Sequence, residues 1–73
     1  MASQIIMDHT GDTRHQFDAT DSEALLKAEE RFRTLTEVGF TAAIRTSSGD
    51  VTVTRKFDPT AEQTLFYPRL VGG

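Results

Sequence analysis

The residue pattern predicts an α+β fold, with one amphipathic helix packed on a single mixed sheet. Three observations carry that prediction. Residues 20–39 (TDSEALLKAEERFRTLTEVG) place Leu25, Ala28, Phe32 and Leu35 at steps of three and four, the spacing of one helical stripe. Two pairs of strand-like segments flank this helix, each pair closed by a turn containing glycine. The chain has 73 residues and no cysteine. A chain that short hides only about 60% of its unfolded surface, so one core must serve all of it.

Taken in order, Met1 to Ser3 are expected to fray. Gln4 to His9 (QIIMDH) and Thr13 to Asp18 (TRHQFD) flank Thr10-Gly11-Asp12, a turn in which Gly11 takes a positive φ. If Ile5 and Met7 face the helix, His15 and Phe17 join them; a slip of one residue turns Ile6 toward Phe17 instead. The first register buries more apolar surface and is the one expected. Thr20 and Glu23 form a T-x-x-E capping box at the helix start. Gly39 ends the helix in a left-handed conformation, and Phe40 folds back on Leu35. Glu23 with Lys27 and Glu29 with Arg33 are i, i+4 pairs on a solvated face.

Phe40 to Thr46 (FTAAIRT) and Val51 to Phe57 (VTVTRKF) make the second hairpin across Ser47-Ser48-Gly49-Asp50. Phe40, Ala42 and Ile44 line its buried face. Val51, Val53 and Phe57 are expected to point inward, with Thr52, Thr54 and Lys56 outward. Asp58 caps a short helical turn with Pro59 at its first position. Thr64 to Tyr67 (TLFY) supplies an optional short extra C-terminal strand, which Pro68 ends or confines to an edge. Residues 69–73 (RLVGG) are read as a flexible tail, so residues 1–73 form one domain. A right-handed crossover lets the first strand and a later one run parallel at the sheet centre. The predicted architecture is therefore a β-grasp-like ββαββ arrangement.

Composition excludes several functions. Eleven Asp and Glu against eight Lys and Arg leave a net charge of −3, which repels a phosphate backbone. Arg31 and Arg33 lie roughly 200° apart around the helix and form no basic patch, so no nucleic-acid partner is expected. No apolar run approaches the ~20 residues of a membrane span, and no signal-peptide core follows Met1. A monomer in the cytoplasm is the expected setting.

No enzyme site is expected, and neither a cofactor nor a metal. His9 and His15 sit near Asp8 and Asp12, but a metal needs three or four converging ligands, which a tight hairpin rarely gathers. Ser47 and Ser48 lie in a turn without the strained elbow of a nucleophilic serine. Glycine-rich phosphate loops are absent from the sequence. Gly72-Gly73 stands apart. At average glycine usage such a pair ends about 0.5% of chains by chance, and on the tail alone a frayed end is favoured over a reactive one.

Several stretches resemble ubiquitin and the ubiquitin-like proteins. Gln4-Ile5, Thr10-Gly11-Asp12-Thr13 and Lys27-Ala28 resemble that family's QI, TGKT and KA. Thr64-Leu65 followed by Arg69-Leu70-Val71-Gly72-Gly73 resembles its TL followed by RLRGG. The likeness covers about half the chain, in the same order. It implies a small protein modifier or sulfur carrier. In that family the glycine matched by Gly73 is adenylated by an activating enzyme using ATP and magnesium. It then passes as a thioester to partner cysteines and on to target proteins, or becomes a thiocarboxylate. Gly72 matches the penultimate glycine, and Arg69 with Leu70 match residues that activating enzymes recognise. Departures are Val71 in place of an arginine, Pro68 in the last strand, and Asp12 in place of the first-turn lysine. Lys27 and Lys56 are the only lysines. Chain building is thus disfavoured relative to single attachment or sulfur transfer. The alternative is a non-conjugated interaction domain, binding through a sheet edge or a face around Thr52, Thr54 and Tyr67.

Overall fold

The computed structural model describes residues 1–68. Its elements run β1 (Ala2–Asp8), β2 (Gly11–Phe17), α1 (Ser22–Glu37), β3 (Phe40–Arg45), β4 (Val51–Thr54) and β5 (Gln63–Pro68). The five strands form one mixed sheet in the order β2-β1-β5-β3-β4. β1 and β5 are parallel at the centre, and the other pairings are antiparallel. This is the α+β, β-grasp-like arrangement predicted, with the extra C-terminal strand formed as β5. No helix among the described residues is long and apolar enough to cross a membrane.

The helical stripe does what its spacing requires. Ala28 and Phe32 are buried, and Leu25 and Leu35 are half-buried beside them. Phe32 meets Phe66 edge to face at 5.7 Å between ring centres and Phe57 at 6.0 Å. Ala42 completes that cluster, and Ile6, Leu35 and Phe40 pack around it. Gly39, at φ 109°, turns the chain out of the helix as expected.

The start of the helix differs from expectation. Asp21 is the cap, accepting from the Glu23 and Ala24 amides. Thr20 instead donates its hydroxyl and its amide to Asp18. Asp18 satisfies that threonine locally, so the cap moves one residue on. Ala2 and Ser3, expected to fray, are buried strand residues, and the Ser3 amide donates to the Glu62 carbonyl at 2.8 Å. The first hairpin turns over His9-Thr10, and Gly11 opens β2 at φ 127°.

Two strand phases are also corrected. Opposed residues share a face, and β1 pairs Gln4 with His15 and Ile6 with Thr13. Across the parallel pair, Gln4 lies beside Thr64 and Ile6 beside Phe66. The helix-facing residues of β1 are therefore Ala2, Gln4 and Ile6, while Ile5 and Met7 take the other face. Ile6 and Phe17 share the helix side, close to the slipped alternative. In the second hairpin Ala42 opposes Thr54 and Ile44 opposes Thr52. Val51 and Val53 consequently point away from the helix, 51% and 60% exposed. Phe57 still reaches the core because β4 has ended. Thr54 Oγ1 accepts from the Lys56 amide and donates to its carbonyl, bending the chain at Arg55-Lys56. Asp58 to Ala61 make one turn rather than a helical segment, with the Ala61 amide donating to the Asp58 carbonyl at 3.2 Å. Pro68 does not confine β5 to an edge. It sits at the end of a central strand, opposite Phe40.

Candidate functional site: the open sheet face and the end of the central strand

The helix covers one face of the sheet and leaves the other open. On the open face the registers align one row across all five strands: Arg14, Ile5, Leu65, Ala43 and Val53. Ile5, Leu65 and Ala43 are buried, and Val53 leaves the row exposed at its end. A second row runs Gln16, Ser3, Gln63, Arg45 and Val51, and Thr41 opposes Tyr67 in a third. The face thus has an apolar centre with Arg14 and Arg45 at its sides, against the single carboxylate of Asp12. That local balance is positive on a chain whose net charge is −3. Sequence reasoning located no such patch, because it assigned Ile5, Met7, Val51 and Val53 to the helix side. Tyr67 lies on this open face and Thr52 and Thr54 lie on the opposite one, so the three do not form one surface.

The predicted activation residues Arg69, Leu70, Gly72 and Gly73 lie outside the described residues. What the fold does fix is their point of departure. β5 is flanked by β1 and β3, and its described residues end at the exposed Pro68. Pro68 and Phe40 form a pair whose main-chain groups point away from each other, so the missing proline amide falls on the β1 side, just beyond the last parallel partners Ile6 and Phe66.

One buried polar group was not anticipated. Gln4 is wholly buried beneath α1. Its Nε2 donates to the Ala28 carbonyl at 2.9 Å, and its Oε1 accepts from Arg31 Nη1 at 2.8 Å. This pair of bonds pins the helix to β1. The signal in the sequence was a glutamine heading an apolar run, which a strand burying one face tolerates only with partners.

The histidine group disperses. His15 lies opposite Gln4 on the helix side and Asp12 opposite Met7 on the open side. Among the described residues no three His, Cys, Asp or Glu side chains are placed to hold a metal. Ser48 shares hydrogen bonds with Thr46 and Asp50 inside its turn. Asp8, Asp18 and Asp58 form three equivalent D-x-T turns, each accepting the hydroxyl and then the amide of Thr10, Thr20 or Thr60. Those bonds hold all three carboxyls below the usual carboxylate range. They organise loops.

No protein-family model, curated protein or solved structure matches this chain.

Proposed function

We propose that this chain is a ubiquitin-like small protein modifier or carrier, acting in the cytoplasm through the carboxylate of Gly73. It serves as the substrate of an activating enzyme rather than as a catalyst. The observation that carries this reading is the placement of β5: the central strand of the fold runs directly into the RLVGG of residues 69–73. A domain anchored at its middle strand can present that segment to an enzyme without loosening its core.

The chemistry is simple. A carboxylate is a poor electrophile, so its oxygen must first attack the α-phosphate of ATP, expelling pyrophosphate and forming an acyl-adenylate. A cysteine thiolate or a sulfur donor then attacks the carbonyl and releases AMP. Gly72 and Gly73 lack side chains and so fit a narrow channel, while Arg69 and Leu70 offer a charge and an apolar contact to the activating enzyme. Gly73 must be terminal for this, either as synthesised or after cleavage behind it.

The open sheet face favours a second reading, a non-conjugated interaction domain. Its exposed Val51 and Val53, beside Arg14 and Arg45, offer a contact surface that conjugation does not need.

Intact-mass measurement separates the two. The chain, tagged at its N-terminus, is expressed in cells of its native source with and without Gly72-Gly73 and purified under denaturing conditions. Covalent adducts or a thiocarboxylate that depend on Gly72-Gly73 are the expected result. A single unmodified mass from both forms, with the partner enzymes expressed, would replace the modifier reading with the interaction domain.

A further inference from the structure

Beside its core stripe, α1 carries a second line of residues. Ser22, Leu26, Glu29, Arg33 and Thr36 recur at steps of three and four, so they share one face of the helix. That face lies roughly 100° around the axis from Ala28 and Phe32. Opposite it runs the chain that leaves β4. Thr54 Oγ1 accepts from the Lys56 amide at 3.2 Å and donates to the Lys56 carbonyl at 2.8 Å, and this clamp turns Phe57 in toward Phe32. Asp58 closes the next turn by accepting from the amide and hydroxyl of Thr60. Both walls are thus held by hydrogen bonds, and a groove runs between them.

The two ends of the groove differ in chemistry. One is apolar, lined by Leu25, Leu26, Phe57 and Pro59. Leu26 is 66% exposed there, an aliphatic surface that gains by being covered. The other end is lined by Arg33, Arg55 and Lys56, all exposed. Glu29, which borders both ends, is the single carboxylate among the residues lining either. It offsets one cation at i, i+4 from Arg33 and leaves the groove positive. Three of the eight lysines and arginines are gathered here, on a chain whose net charge is −3.

We propose that this groove binds an acidic segment of a partner protein, in extended form. An aliphatic residue of that segment seats on Leu26 and Phe57, and its carboxylates meet Arg33, Arg55 and Lys56. Charge complementarity selects the occupant. A polynucleotide brings anions but no aliphatic anchor for the apolar end, and the overall negative charge of the chain opposes it. Leu26 and Arg33 stand seven residues apart, about 10 Å along the helix axis. An extended segment advances roughly 3.3 Å per residue, so its first carboxylate is expected about three residues from the anchor. One aliphatic contact and a few exposed charges make a weak complex, with a Kd of about 10 μM to about 1 mM. The inference goes beyond the reading of Gly73 and holds whether or not that glycine is conjugated.

Amide-resolved nuclear magnetic resonance of the full chain, titrated with the synthetic peptide LLGSEED, tests this. Saturable shifts at Leu26, Arg33, Arg55 and Lys56 are expected, with an affinity that falls as salt is raised. The uncharged peptide LLGSQQN should bind roughly tenfold more weakly or worse. The double variant Arg55→Glu with Lys56→Glu, at exposed sites, should lose a similar factor toward LLGSEED and gain affinity for LLGSKKR. Leu26→Ser should weaken both peptides. The dispersion of the amide signals confirms that each variant is folded. No saturable shift up to about 1 mM peptide would overturn the proposal. So would equal binding of LLGSEED and LLGSQQN, or shifts centred away from the groove. Groove signals that respond more strongly to oligodeoxythymidylate would replace the acidic segment with a nucleic acid. Groove signals that move with chain concentration alone would replace it with a second copy.

Discussion

Removing the Phe32 ring is the most direct perturbation of the core. Phe32 is 5% exposed and packs edge to face on both Phe57 and Phe66. Truncating a buried phenylalanine to alanine costs about 3–5 kcal/mol through lost transfer energy and the cavity left behind. Two edge-to-face contacts, each worth about 0.5–1.5 kcal/mol beyond area, place Phe32→Ala in the upper half of that range. At about 0.05–0.15 kcal/mol per residue, a domain of this length has roughly 4–11 kcal/mol in all. The variant should therefore lose a large fraction of its stability, and at the low end of that range would not fold at room temperature. Urea titration followed by circular dichroism and by Tyr67 fluorescence measures it, because Tyr67 is the only tyrosine and there is no tryptophan. Phe32→Leu, keeping most of the volume, should remain folded and lose about 1–2 kcal/mol. A Phe32→Ala variant that melts like the wild type would refute the helix-to-sheet packing, and the face assignments with it.

Two further outcomes are expected. Gln4→Leu keeps the volume but deletes the bonds to Ala28 and Arg31; it should cost about 1–2 kcal/mol, since the Ala28 carbonyl keeps its helical partner and Arg31 can return to water. A double-mutant cycle with Arg31→Met should show coupling between the two sites, and none would mean the guanidinium does not hold Gln4. The D-x-T turns make a pH prediction. Asp8, Asp18 and Asp58 have folded-state values depressed below the ordinary 3.8. Their contribution is present above that value and is lost as pH falls through the folded values. The triple Asp→Asn variant should therefore lose less stability than wild type between about pH 5 and about pH 2.5 in urea titrations. Equal losses would show that the hydroxyl bonds do not favour the ionised form.

The phases of β1 and β4 show where sequence stops deciding. Ile5, Ile6 and Met7 are consecutive apolar residues, so either face of β1 satisfies a hydrophobic rule. The choice was made by pairing with β5, which sets Ile6 beside Phe66 and Ile5 beside Leu65. β4 alternates cleanly, yet its valines face away from the helix. Hydrogen-bond register with β3 fixes an edge strand's phase, and the turn bond between Thr46 and Asp50 fixes that register. Gln4 was hidden for a related reason: its partners, Ala28 and Arg31, are 24 and 27 residues away.

By itself the sequence determined what depends on neighbours along the chain. The stripe through Ala28 and Phe32, the left-handed exit at Gly39 and the inward set Phe40, Ala42 and Ile44 follow from local spacing and backbone freedom. A crossover helix between two hairpins also specified the central parallel pair. The tertiary structure alone decided which apolar residues remain outside. A sheet with one helix has one uncovered face, and long-range register selects the residues that occupy it. That register aligned Ile5, Leu65, Ala43 and Val53 on the face away from the helix and left Val51 and Val53 exposed on the edge strand.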